Sequence, residues 1–298
     1  MPTAPIGEHD APANVLISST RRFWSRFFAN KVAVAGLAFI VAMVVAAIFA
    51  NVLAPHSETE TFSRVNSTPY GSHWLGTDAI GRDILSRLMF GARASLQVSF
   101  LTVGMAALAA VPIGLVAGYF GGRVDSVIMR IVDAGFTFPP LILALVVASL
   151  LGRGSLFNMS IALAIVFVPG FVRLLRGPVL AIREETFIEA SRSLGAGHVR
   201  MIRRHIFPNV ASPLIVQLAL ALGYALLAEA GLSYLGLGVQ PPGASWGGML
   251  HDAYASIFTS SWPLIVPGVT IALTVLAFNV IADGLRDALG RERFKSDA

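Results

Sequence analysis

The chain has no cysteine among its 298 residues, and only 13% of its residues are charged. The absence of cysteine excludes disulfides, thiolate nucleophiles and cysteine-ligated zinc. Soluble domains carry roughly 25% charged residues, about twice as many. Apolar residues make up 55% of the chain, and the mean hydropathy is +0.71. So little polar surface cannot cover a soluble core, and the composition predicts a membrane protein.

Motifs for nucleotide and metal chemistry are also lacking. No Gly-x-x-x-x-Gly-Lys-Ser/Thr phosphate loop occurs, so ATP cannot bind in the P-loop manner. No Ser/His/Asp set stands in a recognisable local context. The histidines are His9, His56, His73, His198, His205 and His251, and no two have the spacing of metal ligands. The sequence therefore predicts no catalytic, cofactor or metal site in this chain.

Long apolar runs dominate what the sequence does contain. A membrane-spanning helix needs about 20 predominantly apolar residues, and six runs approach or exceed that length. The predicted spans are residues 32–53, 96–120, 134–151, 157–172, 213–231 and 263–281. The predicted fold class is an all-α membrane protein with six transmembrane helices.

The positions of lysine and arginine set the orientation of such a chain. Most of the 22 Lys and Arg residues fall in alternate connections and near the two ends, with the largest group in residues 173–212. This bias predicts that both termini lie inside the cell. It also explains the net charge of +5, so no nucleic-acid partner is expected. The first span is interpreted as an uncleaved signal-anchor, since it is too long for a signal peptide.

The spans divide the chain into three parts. Residues 1–31 are predicted as a cytoplasmic tail with a basic segment before the membrane, residues 32–285 as the six-span domain, and residues 286–298 as a second cytoplasmic tail. Residues 54–92 and 232–262 are outer loops, residues 121–133 a short inner loop, and residues 173–212 the large inner loop. This layout leaves three loops large enough to carry function.

Local patterns add detail outside the inner loop. From Asp83 onward, apolar residues and arginines follow the pattern of an amphipathic helix that lies at the outer interface and leads into the second span. Gly114, Gly118 and Gly122 recur at four-residue spacing, which allows close packing within the bundle or with a second subunit. The outer loop 232–262 is rich in glycine, proline and aromatic residues, and such irregular backbone must be covered by protein or water.

The inner loop 173–212 carries the most informative pattern. Ile188, Ser191 and Leu194 recur at helical steps, and Gly195 allows a sharp turn that a side chain would obstruct. A second basic helix is predicted from about residue 198 to 205, ending before Pro208 because proline disfavours helix at the preceding residue. Two short helices that meet at a glycine corner would project into the cytoplasm and fit a groove on a partner protein.

The same residues resemble the coupling motif of ABC importer permeases: Glu-Ala-Ala, three residues, Gly, nine residues, Ile, one residue, Leu-Pro. The matching residues are Glu189, Ala190, Gly195 and Pro208, while Ser191, His205 and Phe207 replace the second Ala, the Ile and the Leu. The ending with His205 and Pro208-Asn209 resembles the peptide and nickel branch of these permeases. The match lies in the large inner loop, where such a motif belongs.

Two outer stretches resemble the C-type permease subunits of dipeptide, oligopeptide and nickel importers. The first contains His73-Trp74-Leu75-Gly76-Thr77-Asp78 and Gly81-Arg82-Asp83, and the second runs from Glu229 to Gly238 with Trp246-Gly247 after it. The resemblance covers about residues 24–290. It implies the type I ABC importer permease fold, a bacterial cytoplasmic (inner) membrane location, and no catalysis by this chain.

The resemblance also implies partners and a substrate class. A homologous B-type permease, two ABC ATPases that hold ATP and magnesium, and an external solute-binding protein would complete an importer of di- or oligopeptides. Nickel, glutathione or another small solute stays open as the cargo. An ion-driven secondary transporter is the rival class, although the inverted repeats and midplane charges of such proteins are not evident.

Two groups of candidate site residues follow. The ATPase-coupling residues are Glu189, Ala190, Ser191, Leu194, Gly195, Ala196, Gly197, His205 and Pro208, and the candidate outer-gate or vestibule residues are Glu229, Tyr234 and Trp246. Glu189 could instead be a solvated helix charge, and Glu229 could instead stabilise the outer loop. The arginines at 200, 203 and 204 could contact either anionic lipid or a partner.

Overall fold

The computed structural model describes residues 23–152 and 154–290. These residues form helices joined by loops. Three isolated β-bridges lie between residues 61 and 83. The predicted all-α class is confirmed. Residues 1–22 and 291–298, which hold most of both predicted tails, lie outside the described residues.

The helices divide into long spanning helices and short connecting ones. In chain order they are α1 Lys31–Ile48, α2 Ala50–Leu53, α3 Ile84–Phe120, α4 Gly122–Gly135, α5 Pro140–Leu151, α6 Leu156–Arg183, α7 Thr186–Ser193, α8 His198–Met201, α9 Phe207–Tyr234, α10 Trp246–Tyr254 and α11 Trp262–Gly290, with a π-helix at Ile202–Ile206. Five helices are long and apolar enough to cross a membrane, and the bent pair α4–α5 makes a sixth if it counts as one span. On that count the predicted six spans are confirmed.

The pair α4–α5 corrects one predicted loop. Residues 121–133 were expected to form a short inner loop, but Gly122–Gly135 is a helix that meets α5 at 86°. Gly121 separates it from α3 with a φ of +63°. Helix α4 is amphipathic: Ile128, Met129 and Val132 pack against the core, and Asp125 and Asp133 pair with arginines of α6. The third span therefore begins with a bent, amphipathic element.

Helices α3 and α6 form the most extensive helix–helix contact of the structure. A Cβ atom on Gly114 would lie 2.9 Å from the Cβ of Leu175, and one on Gly118 would lie 2.6 Å from the Cβ of Val179. Larger residues would push the two helices apart. The small-residue spacing in α3 therefore serves packing within the chain.

The outer end of α3 differs from the prediction. With 37 residues, α3 is about 55 Å long, well beyond the roughly 30 Å hydrocarbon core. Its first turns were expected to lie at the membrane interface, but Ile84 and Arg87 are buried. The interface prediction is wrong because residues 54–83 fold over these turns and replace lipid as their neighbour.

The large inner loop is also shorter than predicted. Helix α6 continues to Arg183, and the predicted stop before Pro208 is wrong, since residues 202–206 form a π-helix that runs directly into α9. Pro208 lies in the first turn of α9, directly after the π-helix, where its missing N–H interrupts the hydrogen-bond ladder of a continuous helical run. At the C-terminal side, α11 continues to Gly290, past the predicted boundary at residue 285.

Candidate coupling segment and outer cap

The segment between α6 and α9, residues 184–206, is here called the coupling segment. Its turn follows α7, where Gly195 N donates to Arg192 O at 2.9 Å and Ala196 N donates to Ser191 O at 3.2 Å. This pair of bonds is the Schellman arrangement that ends many helices. Gly195 has a φ of +82°, and a Cβ there would meet nothing within 4 Å. Glycine is therefore required for its backbone conformation, not for space.

The inward face of the coupling segment is anchored by apolar side chains. Ile188, Met201 and Ile206 are fully buried and pack in one cluster with Leu175 and Val179 of α6. Burying each such side chain contributes about 1.5–3 kcal/mol. The segment is thus a rigid extension of the spanning helices.

Two polar contacts tie the coupling segment and the last residue of α6 before it to the inner end of α3. The Tyr119 hydroxyl lies 2.9 Å from His198 Nδ1, and Arg183 Nη1 donates to Gly118 O at 3.2 Å. Sequence analysis missed these residues because their partners are distant in the chain. A movement of the coupling segment is therefore felt by both α3 and α6.

The outward face of the coupling segment exposes apolar side chains. Leu194 is 89% exposed and Val199 is 69% exposed, with Phe187 exposed nearby. Their neighbours Glu189, Arg192 and the arginines of residues 200–204 give the surface a charged rim. An apolar tip with a charged rim is typical of a surface that a partner covers.

The residues predicted for coupling separate into a tip and a base. Glu189, Ala190, Leu194, Gly195 and Gly197 are exposed around the turn, and Ser191 and Ala196 are half-buried beneath it. The other two lie at the base. His205 is in the π-helix, where its carbonyl accepts a 2.6 Å hydrogen bond from Asn209 Nδ2, and Pro208 is in α9. The motif therefore spans both the contact surface and its attachment to a spanning helix.

Two ion pairs hold α4 against the inner half of α6. Arg176 Nη2 donates to Asp125 Oδ2 at 2.6 Å, and its Nε binds the other carboxylate oxygen, which makes the pair bidentate. Arg173 pairs with Asp133 at 2.5 Å and also lies over the ring of Phe136, 4.1 Å from its centre. These contacts explain why the positive charges at 173 and 176 are compatible with a continuous α6.

On the opposite side, residues 54–83 and α10 form what is here called the outer cap. Arg82 Nε donates to Asp78 Oδ2 and Arg82 Nη2 to Asp252 Oδ2, both at 2.7 Å. Arg87 Nη2 joins the same Asp252 oxygen at 3.4 Å. The side chains of Arg82 and Asp78 are 10% exposed and that of Arg87 is 3% exposed. This buried network fastens the first outer loop to the last one.

The candidate gate residues lie within the contact between α3, α9 and α10. Glu229 is fully buried, and its Oε1 accepts a 2.6 Å hydrogen bond from Ser233 Oγ. Trp246 is also fully buried, and its Nε1 donates to Leu88 O at 3.0 Å. Tyr234 is half-buried, and its carbonyl is 2.7 Å from the Nδ1 of His251. In this conformation Trp246 joins α10 to α3, while the Glu229 hydrogen bond to Ser233 stays within α9.

The outer cap also brings together a group that sequence analysis missed. His56, His73 and Asp83 each place one potential ligand atom within 4.8 Å of the others. They are far enough apart in the chain that no spacing rule connects them. The fold of residues 54–83 alone makes them neighbours.

Comparison with protein families identifies the wider group. Residues 110–295 match the family described as binding-protein-dependent transport system inner membrane component. Residues 18–69 match the N-terminal transmembrane domain of oligopeptide transport permease C. Together the two matches include α1 and nearly everything from the middle of α3 onward.

Two curated relatives cover almost the whole chain. The dipeptide transport system permease protein DppC of Alkalihalophilus pseudofirmus is 43% identical over 290 residues, which is 97% of this chain and 94% of the relative. The glutathione transport system permease protein GsiD of Pectobacterium atrosepticum is 41% identical over 271 residues, 90% of each chain.

Solved structures of the MetNI methionine ABC transporter in inward-facing conformations share the fold. One such chain superimposes with a TM-score of 0.59 and 17% identity, covering 69% of this chain and 97% of the other. A second crystal form gives a TM-score of 0.56 at the same identity, with 66% and 94% coverage. The predicted importer permease fold is confirmed.

Proposed function

Because this chain belongs to the family of binding-protein-dependent transport system inner membrane components, we propose that it forms half of the translocation pathway of an ATP-driven importer of di- or oligopeptides. The observation that carries this proposal is the coupling segment, which presents the apolar tip at Leu194 and Val199 on a rigid base. Such a surface between two spanning helices of a multi-pass inner-membrane protein is suited to receiving force from a partner.

The proposed mechanism follows from the two faces of the coupling segment. The exposed tip binds in a groove of an ATPase. When the two ATPases bind ATP and close together, the coupling segment moves with them. The buried anchors Ile188, Met201 and Ile206 then transmit the movement to α6 and α9, since they pack directly against them. Rocking of the spanning helices opens the pathway to alternate sides of the membrane.

ATP and magnesium belong to the two partner ATPases in this proposal, and this chain catalyses no reaction and binds no cofactor of its own. The sequence supports this assignment of ATP binding to the partners, because its only lysines are Lys31 and Lys295 and neither lies in a phosphate loop. The family's description names a binding protein as a further component. A homologous B-type permease would supply the other half of the pathway.

The arginines of the coupling segment support a cytoplasmic location for residues 184–206, and the outer cap would then face away from the cytoplasm. Both termini are cytoplasmic in this orientation, because α1 begins, and α11 ends, on the same side as the coupling segment. The solute-binding protein would deliver its cargo to the outer cap.

An acidic substitution at the apolar tip tests the proposal. Leu194→Asp places a charge in the proposed ATPase contact, so peptide uptake should fall more than about tenfold, because apolar anchors at the centre of an interface dominate binding. Thermal stability of the purified chain should stay unchanged, since Leu194 is 89% exposed.

Phe258→Asp is the matched control. Phe258 is fully exposed in the last outer loop, and the same change there should leave ATPase co-purification intact. Normal uptake and normal ATPase recovery with Leu194→Asp would refute the coupling role.

The cargo has a second candidate. GsiD, which is nearly as similar to this chain as DppC, is by name a glutathione permease. Uptake of a labelled dipeptide by the complete transporter, competed with unlabelled dipeptide, glutathione or a nickel chelate, separates the candidates. Competition by glutathione alone would reassign the substrate without changing the coupling mechanism.

A further inference from the structure

Three side chains converge where the first outer loop folds back onto α3. His56 lies just after α2, and its backbone N–H donates to Ser86 Oγ at 3.1 Å. His73 Nδ1 is 2.9 Å from Asp83 Oδ1. One ligand atom from each of His56, His73 and Asp83 lies within 4.8 Å of the other two. Two imidazoles and a carboxylate thus meet at one point of the outer cap.

The group is shielded from solvent. The side chain of His73 is 5% exposed and that of Asp83 is fully buried. Phe62 and Tyr70 pack against the His73 ring with centroid distances of 4.4 and 4.7 Å. An apolar shell of this kind limits water access to a polar centre and strengthens electrostatic binding there.

His56 supplies an independent indication that a ligand is expected. Its Nε2 is buried and has no hydrogen-bond partner among the residues that the structure describes. Its other nitrogen, Nδ1, faces Glu60 Oε2 at 3.8 Å. An ion bound at Nε2 would leave the proton on Nδ1, the nitrogen that faces this carboxylate. A buried ring nitrogen without a partner is costly unless something binds it.

Asp83 is arranged so that one oxygen stays available. Its Oδ2 accepts from the backbone N–H of Ser86 at 2.8 Å and from Ser86 Oγ at 2.7 Å, which caps α3. Its other oxygen, Oδ1, has its contact with His73 Nδ1. The helix cap therefore holds the carboxylate in place without using the oxygen that points toward His73.

We propose that His56, His73 and Asp83 bind one divalent transition-metal ion of the zinc type. Imidazole nitrogen and carboxylate oxygen are the donors such ions take, at about 2.0–2.2 Å. His73 Nδ1 and Asp83 Oδ1 are 2.9 Å apart, and an ion would displace the proton between them. Two donors on a tetrahedral ion lie roughly 3.4 Å apart, so the two side chains would separate by about 0.5 Å on binding. The His56 ring closes the remaining gap by turning, since it is on a loop and its side chain is 17% exposed. Water would fill the fourth position.

The ion would fasten the first outer loop to the start of α3. The same loop holds α11 through Trp262 Nε1, which donates to Leu75 O at 2.9 Å, and holds α10 through Arg82 and Asp252. Metal binding would therefore stabilise the whole outer cap. This inference does not depend on the transport function.

Zinc binding by the purified full-length chain, carrying no polyhistidine tag, tests the site. Wild-type protein should bind one Zn²⁺ per chain in a titration against a chromophoric chelator, and Mg²⁺ should not compete. Added Zn²⁺ should raise the thermal unfolding midpoint, because a ligand that binds only the folded state stabilises it. Substitution with Co²⁺ should give the visible absorption of a low-symmetry site.

His56→Gln is the diagnostic variant, because it removes one ligand and leaves the His73–Asp83 contact intact. Its zinc affinity should fall more than about 100-fold, beyond the 10- to 100-fold that loss of a supporting residue costs. His251→Gln changes another outer histidine and should bind as wild type does. An unfolding midpoint for His56→Gln equal to wild type without zinc shows that the variant is folded.

Two results would overturn the proposal. Absence of saturable one-equivalent binding in the wild type would mean that the histidines serve only as hydrogen-bonded and stacked side chains. Equal zinc affinity in His56→Gln and wild type would place the ion elsewhere in the chain.

Discussion

The outer cap and the coupling segment differ in how their side chains find partners. In the outer cap, the charged groups of Asp78, Arg82 and Arg87 are buried and bound to each other and to Asp252. In the coupling segment, apolar anchors hold one face while Leu194 and Val199 stay exposed on the other. The charged groups of the outer cap therefore have their partners within the chain, whereas the apolar tip of the coupling segment is exposed.

This difference indicates where each region obtains its stability and where it acts. Burying charged groups costs desolvation energy, which well-placed ion pairs offset. Removal of any one member therefore leaves another charge buried without its partner. An exposed apolar tip contributes nothing to the folded chain and becomes useful only when covered. Mutations in the outer cap should therefore affect folding, and mutations at the tip of the coupling segment should affect partner contact.

The largest effect is expected in the outer cap. Arg82→Met removes the closer of the two cations that Asp78 and Asp252 share and leaves them only Arg87, at 3.6 and 3.4 Å; removing one partner of a buried pair costs about 3–5 kcal/mol. The detergent-purified chain should show a clearly lower thermal unfolding midpoint. The exposed pair of Arg286 and Asp283, with side chains 61% and 63% exposed, is the control, and Arg286→Met should cost no more than about 1 kcal/mol. Equal effects of the two substitutions would contradict the distinction.

An intermediate effect is expected at the turn of the coupling segment. Gly195→Ala forces a side chain into a left-handed conformation that costs roughly 1–2 kcal/mol. Amide hydrogen exchange in residues 186–206 should accelerate and peptide uptake should fall several-fold, while the global unfolding midpoint changes little. Gly197→Ala is the matched control for hydrogen exchange, since Gly197 has a φ of −69° and open space around it. Similar acceleration of exchange in both variants would remove the special role of Gly195.

The smallest effect is expected where the coupling segment touches α3. Tyr119→Phe removes the 2.9 Å contact with His198 and costs about 0.5–1.5 kcal/mol. Exchange in α8 should accelerate and uptake should fall less than with Gly195→Ala. Tyr254→Phe changes an exposed outer tyrosine and should have no effect. Unchanged exchange in Tyr119→Phe would show that the apolar anchors alone hold the segment.

The sequence predicted well whatever depends on local patterns. Apolar runs located the spans, and the steps between Ile188 and Leu194 located α7, which the structure places at Thr186–Ser193. The turn at Gly195 was predicted because glycine is permissive in the left-handed region. Such features need no information from distant residues.

Features that depend on distant partners escaped prediction. The polar stretch at residues 121–133 was interpreted as a loop because the arginines that pair with Asp125 and Asp133 are far along the chain. Arg87 was assigned to the interface because its partner Asp252 lies far along the chain, in the last outer loop. The grouping of His56, His73 and Asp83 arises from the fold of one irregular loop, which periodicity does not describe.

Helix α3 connects the two contrasted regions as a single lever. Asp83 caps its outer end within the outer cap, and Tyr119 ends it beside the coupling segment. A 10° tilt of a rod about 55 Å long displaces its far end by about 10 Å. Pro112 removes one rung of its hydrogen-bond ladder toward the inner end, which gives the lever a softer joint on the cytoplasmic side. A small rotation of α3 at one end would therefore produce a large displacement at its other end.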